Sequence, residues 1–218
     1  NAIFSFEKAT ELQPQETIYW YALSKAQLDI GDLNQAANNA DELISLNPNL
    51  VESLMLRCEI AIAANNIQVA ENIISEANRI NPNHPLILET QAQIFAQQNR
   101  TEEAIDLLDQ ASELTMNPVS MQVQKSNLIC KSRGVQEQID FLQRLGEKYP
   151  TNAEILTALS TALLQSGKLE DAIFASLEAI KFEENTLSVK QKIQLHFQLG
   201  TLFEKDKQYD LAVEHLTS

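Results

Sequence analysis

Apolar residues along this chain fall in short blocks at helical spacing, and the blocks recur. From Trp20 to Leu46 the residues Trp20, Leu23, Leu28, Leu33, Ala36, Ala40, Leu43 and Leu46 follow at three- to five-residue intervals, the pattern of amphipathic helices. Gly31 interrupts the run and Asn47-Pro48 ends it, so the block reads as helix, turn, helix. Ala2, Ala36, Ala70 and Ala104 are each 34 residues apart, and Pro14, Pro48 and Pro82 keep the same step. A fixed period of this size marks a repeat array. Gly31, Asn65, Asn99, Gly134 and Gly167 occupy one turn slot, where the chain must turn left-handed after a helix. A proline then prevents the next helix from running on, having no amide hydrogen.

The pattern predicts an all-α chain of about six helix-turn-helix repeats. Residues 15–48, 49–82, 83–118, 119–150 and 151–184 are expected to be full repeats. Residues 1–14 read as the second helix of another, and residues 185–218 as a repeat with an extended first helix or loop. Because the chain opens and stops within a unit, it reads as a piece of a longer array. The recurring alanine has a packing reason: it lets the two helices of a unit approach to about 8–10 Å between axes. No helix is long enough to be stable alone, so each buries a face against its neighbours. The period weakens twice. In the fourth unit Ile139 takes the alanine slot, Ser126 and Asn127 fall on core slots, and Gly146 interrupts the second helix. From Ala172 to Ala212 the step stretches to 40, with the additional residues around Glu183 to Ser188. The array is expected to bend or loosen at both places.

These residues resemble the tetratricopeptide repeat family. The first full unit offers Trp20, Leu23, Gln27, Gly31, Ala36, Ala40 and Pro48; the third Leu88, Ala92, Phe95, Asn99, Ala104, Leu108 and Ala111; and the last Leu199-Gly200, Phe203, Tyr209, Ala212 and Leu216. The resemblance covers essentially the whole chain and implies a right-handed α-α superhelix, a solenoid whose concave groove commonly holds peptides.

On that resemblance the groove wall comprises Tyr21, Lys25, Met55, Glu59, Glu89, Gln93, Gln124, Thr157 and Thr161. Tyr21 is the aromatic anchor and Met55 an adaptable apolar contact. Glu59 and Glu89 would pair with a Lys or Arg of the bound segment. Two family specialisations are argued against. The groove lacks the cationic cluster that clamps a C-terminal carboxylate. The slots of an asparagine ladder read Lys25, Glu59, Gln93, Leu128, Thr161 and Thr201. The expected function is a non-enzymatic scaffold binding a peptide or partner helix, or else the recruiting arm of a larger enzyme or secretion machine.

Composition narrows the partners. The 218 residues carry a net charge of −14, with 17 acidic and 5 basic residues up to residue 117 and 13 and 11 beyond it. Such acidity repels phosphate backbones, so nucleic acid is not an expected partner, whereas a basic protein segment is. The longest purely apolar run, Ile60 to Ala64, is far short of a membrane span. No phosphate loop, paired-cysteine signature or His-Glu-x-x-His helix occurs, so no catalytic residue, metal or cofactor is expected. Cys58 and Cys130 are expected on core slots too far apart for a disulfide. The histidines are expected to be structural, His84 at an exposed helix start and His196 in the aromatic packing slot. Ile3, Phe4 and Phe6 near one end, and Leu211, Val213 and Leu216 near the other, predict end-to-end self-association. Composition fits a cytoplasmic protein, and a periplasmic or lipid-anchored one nearly as well.

Overall fold

The computed structural model describes residues 2–217. Its contacts divide the chain into two compact units, Asn1–Met116 and Asn117–Ser218. The first holds α1 (Ala2–Leu12), α2 (Thr17–Asp29), α3 (Leu33–Leu46), α4 (Val51–Ala63), α5 (Ile67–Ile80), α6 (Pro85–Gln97) and α7 (Thr101–Glu113). The second holds α8 (Val119–Arg133), α9 (Val135–Lys148), α10 (Ala153–Gln165), α11 (Leu169–Thr186), α12 (Val189–Lys205) and α13 (Tyr209–Thr217). No strand occurs among the described residues. Each even-numbered helix from α2 onward packs against the odd-numbered helix that follows it, and α4 and α10 also touch the first helix of a neighbouring pair.

One slot sets the closeness of each pair. Ser24, Cys58, Ala92, Ser126, Ser160 and Gly200 are buried on the first helices, twelve residues before Ala36, Ala70, Ala104, Gln138, Ala172 and Ala212 on the second. Three of the four first partners that can donate tie the pair by a hydrogen bond to the facing carbonyl, while Ser126 Oγ donates to Val123 O of its own helix. Ser24 Oγ donates to the Ala36 carbonyl at 2.8 Å, Ser160 Oγ to that of Ala172 at 2.7 Å, and Cys58 Sγ to that of Ala70 at 3.5 Å. Burial pushes the Cys58 thiol up to about 12, with the Glu59 charge adding to it, so the sulfur acts as a packing group and weak donor. Cys130, expected in the core, is only half-buried.

Five of the six turns within pairs share one hydrogen-bond pattern. In the first, Gly31 N–H donates to Leu28 O at 3.0 Å and Asp32 N–H to Gln27 O at 2.9 Å. The same pair of bonds recurs at Asn65 and Asn66, Asn99 and Arg100, Gly167 and Lys168, and Lys207 and Gln208. The left-handed residue has φ of 80°, 55°, 61°, 83° and 60° in turn. This is the Schellman closure, which satisfies the last carbonyls of the first helix. Lys207 is the left-handed residue that the Gly and Asn pattern did not reveal.

The fourth turn differs. Gly134 alone links α8 to α9, at φ 97° and ψ 167°, where the other pairs use three residues. Gly134 stands eight residues after Ser126, where the turn residue of every other pair stands seven after its slot, so a register counted from Gly134 runs one residue late. Gln138, not Ile139, therefore stands in the alanine slot, its Nε2 3.5 Å from Ser126 Oγ and 3.1 Å from Asn127 Oδ1. Ile139 is buried beside it as ordinary core.

The stretched step also resolves differently from expectation. The additional residues lie neither in a loop nor in α12 alone, because α11 runs on to Thr186 for 18 residues and α12 spans 17. A capping box between Ser188 and Gln191 starts α12 abruptly. Buried Leu187 and the Thr186 hydroxyl, which accepts from Ala153 N–H at 3.2 Å, anchor the two-residue break.

Gly31 and Gly146 should respond to alanine with opposite signs. A Cβ at either meets nothing within 4 Å, so backbone conformation alone decides. Gly31→Ala puts a side chain at φ 80° and is expected to destabilise by about 1–2 kcal/mol. Gly146→Ala, inside α9, is expected to stabilise by up to about 1 kcal/mol. Urea unfolding of both variants checks the pair of signs.

Candidate functional site

In the first unit the expected wall residues share a face but differ in availability. Tyr21 is 40% exposed. Lys25 Nζ lies 2.7 Å from Glu59 Oε2, one repeat further on. Partial burial lowers the Lys25 ammonium, but the Glu59 hydrogen bond and charge, with Tyr21 and Asp29, outweigh it and leave the pKa above its ordinary value. Glu59 is thus already neutralised within the chain, and a basic ligand must displace Lys25 to reach it. Met55 requires a correction. It is 4% exposed and packed in a core cluster with Val51, Leu54, Cys58 and Ile87, because α6 lies over α4 there. Glu89 and Gln93 are half-buried on α6, and Glu89 has an interaction of its own.

In the second unit α8, α10 and α12 enclose an open cavity of about 280 Å³. Thr157 and Thr161 line it, joined by Asn127, Glu154, Gln191, Gln194 and Gln198 around Val123, Ala158 and Leu187. Gln124 is a second correction: it does not line the cavity, and Val123 and Asn127 do. The cause is the one-residue shift at Gly134, which also puts Asn127 where the sequence reading placed Leu128. Gln191 and Gln198 went unnoticed because they lie off the positions read as wall, with Gln198 turned onto Ser160 and Thr161 of α10.

The side chains at the base of this cavity are held in place. Gln198 Nε2 donates to Ser160 Oγ at 3.1 Å, and its Oε1 lies 3.4 Å from Thr161 Oγ1. Ser160 Oγ in turn donates to the Ala172 carbonyl and sits 2.7 Å from Ser176 Oγ. The small slot that fixes α10 on α11 therefore also orients a groove amide.

A second cavity of about 310 Å³ opens between the end of α11, α12 and α13. Here two of the histidines meet, a contact the sequence reading did not include. His196 Nδ1 lies 3.2 Å from His215 Nδ1, and His196 Nε2 lies 3.4 Å from Glu183 Oε1. With His196 donating to Glu183, its Nδ1 accepts and His215 donates. His215 also stacks on Phe203, ring centroids 5.7 Å apart. Burial lowers the His215 pKa, the His196 charge adds to this, and Glu214 and Glu183 oppose it. His84 is half-buried rather than exposed, and its Nδ1 caps α6 by accepting from Leu86 N–H at 3.3 Å. No group of three or more His, Cys, Asp or Glu among the described residues could hold a metal ion.

Two family models match the sequence, both tetratricopeptide repeat, over residues 18–50 and 59–117. The matched segments lie in the first unit and take in α2, α3, the last turn of α4, and α5, α6 and α7. The chain belongs to the tetratricopeptide repeat family. Solved structures agree on the fold. Yeast Tom70 is 19% identical at TM-score 0.66, over 94% of this chain and 43% of its own. The Cut9–Hcn1 hetero-tetramer of the APC/C is 18% identical at TM-score 0.64, over 99% and 41%. A tetratricopeptide repeat protein from Parabacteroides merdae ATCC 43184 is 15% identical at TM-score 0.65, over 98% and 82%. The chain spans less than half the length of the first two. No protein of curated function matches the sequence.

The histidine pair of this tetratricopeptide repeat protein predicts a pH dependence. A lowered folded pKa means the neutral form is favoured by folding, so the contribution is complete above the unfolded value, about 6.5. It is lost as pH falls below that value towards the depressed folded pKa. Lys192 on α12 lines the same cavity alongside Glu183. Melting followed from pH 7.5 to 5.5 is expected to fall less steeply in His215→Gln than in the parent.

Proposed function

We propose that the chain is a non-catalytic interaction module that holds an extended segment of a partner protein in the cavity between α8, α10 and α12. Membership of a family of general protein-interaction scaffolds supports the module. The observation that carries the site is the lining. Asn127, Gln191, Gln194 and Gln198 offer amides, and Thr157 and Thr161 hydroxyls. An amide head both donates and accepts, which matches a peptide main chain that presents N–H and C=O in alternation. Prior fixing of Gln198 by Ser160 reduces the side-chain entropy lost on binding.

The expectation of a basic partner rests on the first unit. Its excess of 17 acidic over 5 basic residues supports long-range steering of a cationic segment, which speeds encounter and weakens with salt. The greater length of Tom70 and Cut9–Hcn1 favours the related reading that this module serves as the recruiting arm of a larger assembly.

Panning a random-peptide library on the chain supplies a ligand for the test. Gln194 and Thr161 are exposed, so arginine at either leaves the fold intact and fills the cavity. Gln194→Arg and Thr161→Arg are each expected to weaken the selected peptide at least about tenfold, or ~1.4 kcal/mol, at unchanged melting temperature. A peptide bound equally by both variants places the site elsewhere.

A further inference from the structure

Hydrogen-bond polarity divides the lining of the cavity between α8, α10 and α12. Glu154, Thr157 and Thr161 stand at steps of three and four residues, so one face of α10 presents all three. Each threonine has a single hydroxyl proton, and the helix takes it. Thr157 Oγ1 donates to the Ala153 carbonyl at 2.7 Å and Thr161 Oγ1 to the Thr157 carbonyl at 3.0 Å. Both oxygens are left to the cavity as acceptors.

Gln198 is turned the same way. Ser160 Oγ gives its proton to the Ala172 carbonyl at 2.7 Å, so the Ser176 hydroxyl 2.7 Å away donates to it. Only an N–H can then approach Ser160, and Gln198 offers it Nε2 at 3.1 Å, keeping Oε1 for the cavity. That Oε1 stands 3.4 Å from Thr161 Oγ1, whose proton the closer Thr157 carbonyl holds. Two acceptors therefore face each other with no proton between them. With the Glu154 carboxylate they make a strip that accepts hydrogen bonds and donates none.

An anion finds no donor on α10. Ala153 N–H is taken by Thr186 Oγ1 at 3.2 Å, and Glu154 and Ile155 N–H by Asn152 Oδ1 at 3.0 and 3.2 Å. Among the described lining residues Glu154 is the only charged group. Donors lie to either side of the strip. Gln138 Nε2 occupies Asn127 Oδ1 at 3.1 Å, and the Ser188 N–H and hydroxyl occupy Gln191 Oε1 at 2.9 and 2.7 Å. Asn127 and Gln191 thus turn their amide N–H groups to the cavity, where they suit main-chain carbonyls.

We propose that the strip on α10 receives an arginine side chain of the partner segment. A guanidinium carries five donors and no acceptor, the complement of a surface that only accepts. Its rigid fork meets two acceptors at once, as Gln198 Oε1 and Thr161 Oγ1 require, and its charge answers Glu154. The methylene stem lies over Val123, Ala158 and Leu187. Glu154 has an interaction of its own, but a carboxylate accepts at about four positions, so the contact does not need it bare. This contact rests on the cavity being where the partner segment binds.

Panning one random-peptide library in parallel on the 218-residue chain and on Thr161→Arg isolates the peptides that need the cavity. These are expected to share an arginine. Replacing it by citrulline, which keeps the shape and loses the charge, is expected to weaken binding at least about tenfold. Glu154→Gln in the protein is expected to do the same, with unchanged helical circular dichroism. The two changes together are expected to lose far less than the product of the separate losses, because they remove one contact from its two sides. Lysine in place of the arginine is expected to bind more weakly, being a point charge without the fork. Cavity-dependent peptides without a cation, or losses that are absent or that multiply, overturn the arginine contact while leaving the cavity as the binding site. Equal binding of the lysine peptide overturns the choice of arginine among cations. If no peptide distinguishes the two proteins, the cavity is not the site and both readings fall.

Discussion

Close approach of two helices at a pair of small residues is the constraint on which the rest of this molecule depends. At that point a larger side chain on either helix would separate the axes, and packed interiors resist added volume at about 1–3 kcal/mol per insertion. The constraint explains why alanine recurs on the second helices while the first-helix partner varies among Ser, Cys, Ala and Gly. What matters is volume, and a donor is welcome because the carbonyl of the facing alanine lies within reach. It also reaches the candidate site. The hydroxyl that ties α10 to α11 orients Gln198, so the spacing of a helix pair and the geometry of the candidate cavity rest on one serine.

The turns convert that constraint into a register. All six pairs keep twelve residues between their small slots, and five of them close the turn with a three-residue Schellman link. Gly134 closes its pair in one residue, and the surrounding sequence compensates with Gln138, whose long side chain reaches back to Ser126 and Asn127. A buried glutamine in an alanine slot carries a polar group into the core. Its Nε2 is satisfied, whereas its Oε1 has no partner among the protein atoms, and such a group costs on the order of 1–3 kcal/mol. That cost marks the pair as the least regular, and it adjoins the boundary of the two units.

The fold was legible because small slots, turn residues and prolines are local requirements that a sequence writes at fixed intervals. The wall residues were legible where the interval held: Thr157 and Thr161 line the cavity, and Tyr21 is open to solvent. Gln124 failed because Gly134 stands eight residues after its small slot where the other turn residues stand seven after theirs, so a register counted back from it misses the groove face of α8 by one residue, about 100°. Met55 failed for a different reason. Its position on the helix was read correctly, but whether that position is groove or core depends on how the next helix lies across it. The histidine pair was missed because a contact 19 residues apart is invisible to a search for closely spaced ligands.

Charge behaves unlike packing in this chain. Of the five basic residues in the first unit, Lys8, Lys25, Arg57 and Arg100 sit in ion pairs with Glu11, Glu59, Asp41 and Glu103. Each exposed pair contributes only about 0–1 kcal/mol, so they do little for stability. Their larger consequence is for recognition. With its few cations matched locally, the unit still presents a strongly negative field, but a particular carboxylate such as Glu59 is not waiting for a ligand. An approaching basic segment would be attracted by the field as a whole and oriented by something else. The uncharged amides of the second unit are suited to that role, because hydrogen bonds to a main chain fix direction where a diffuse field cannot. Steering and reading can therefore reside on different helices of one array.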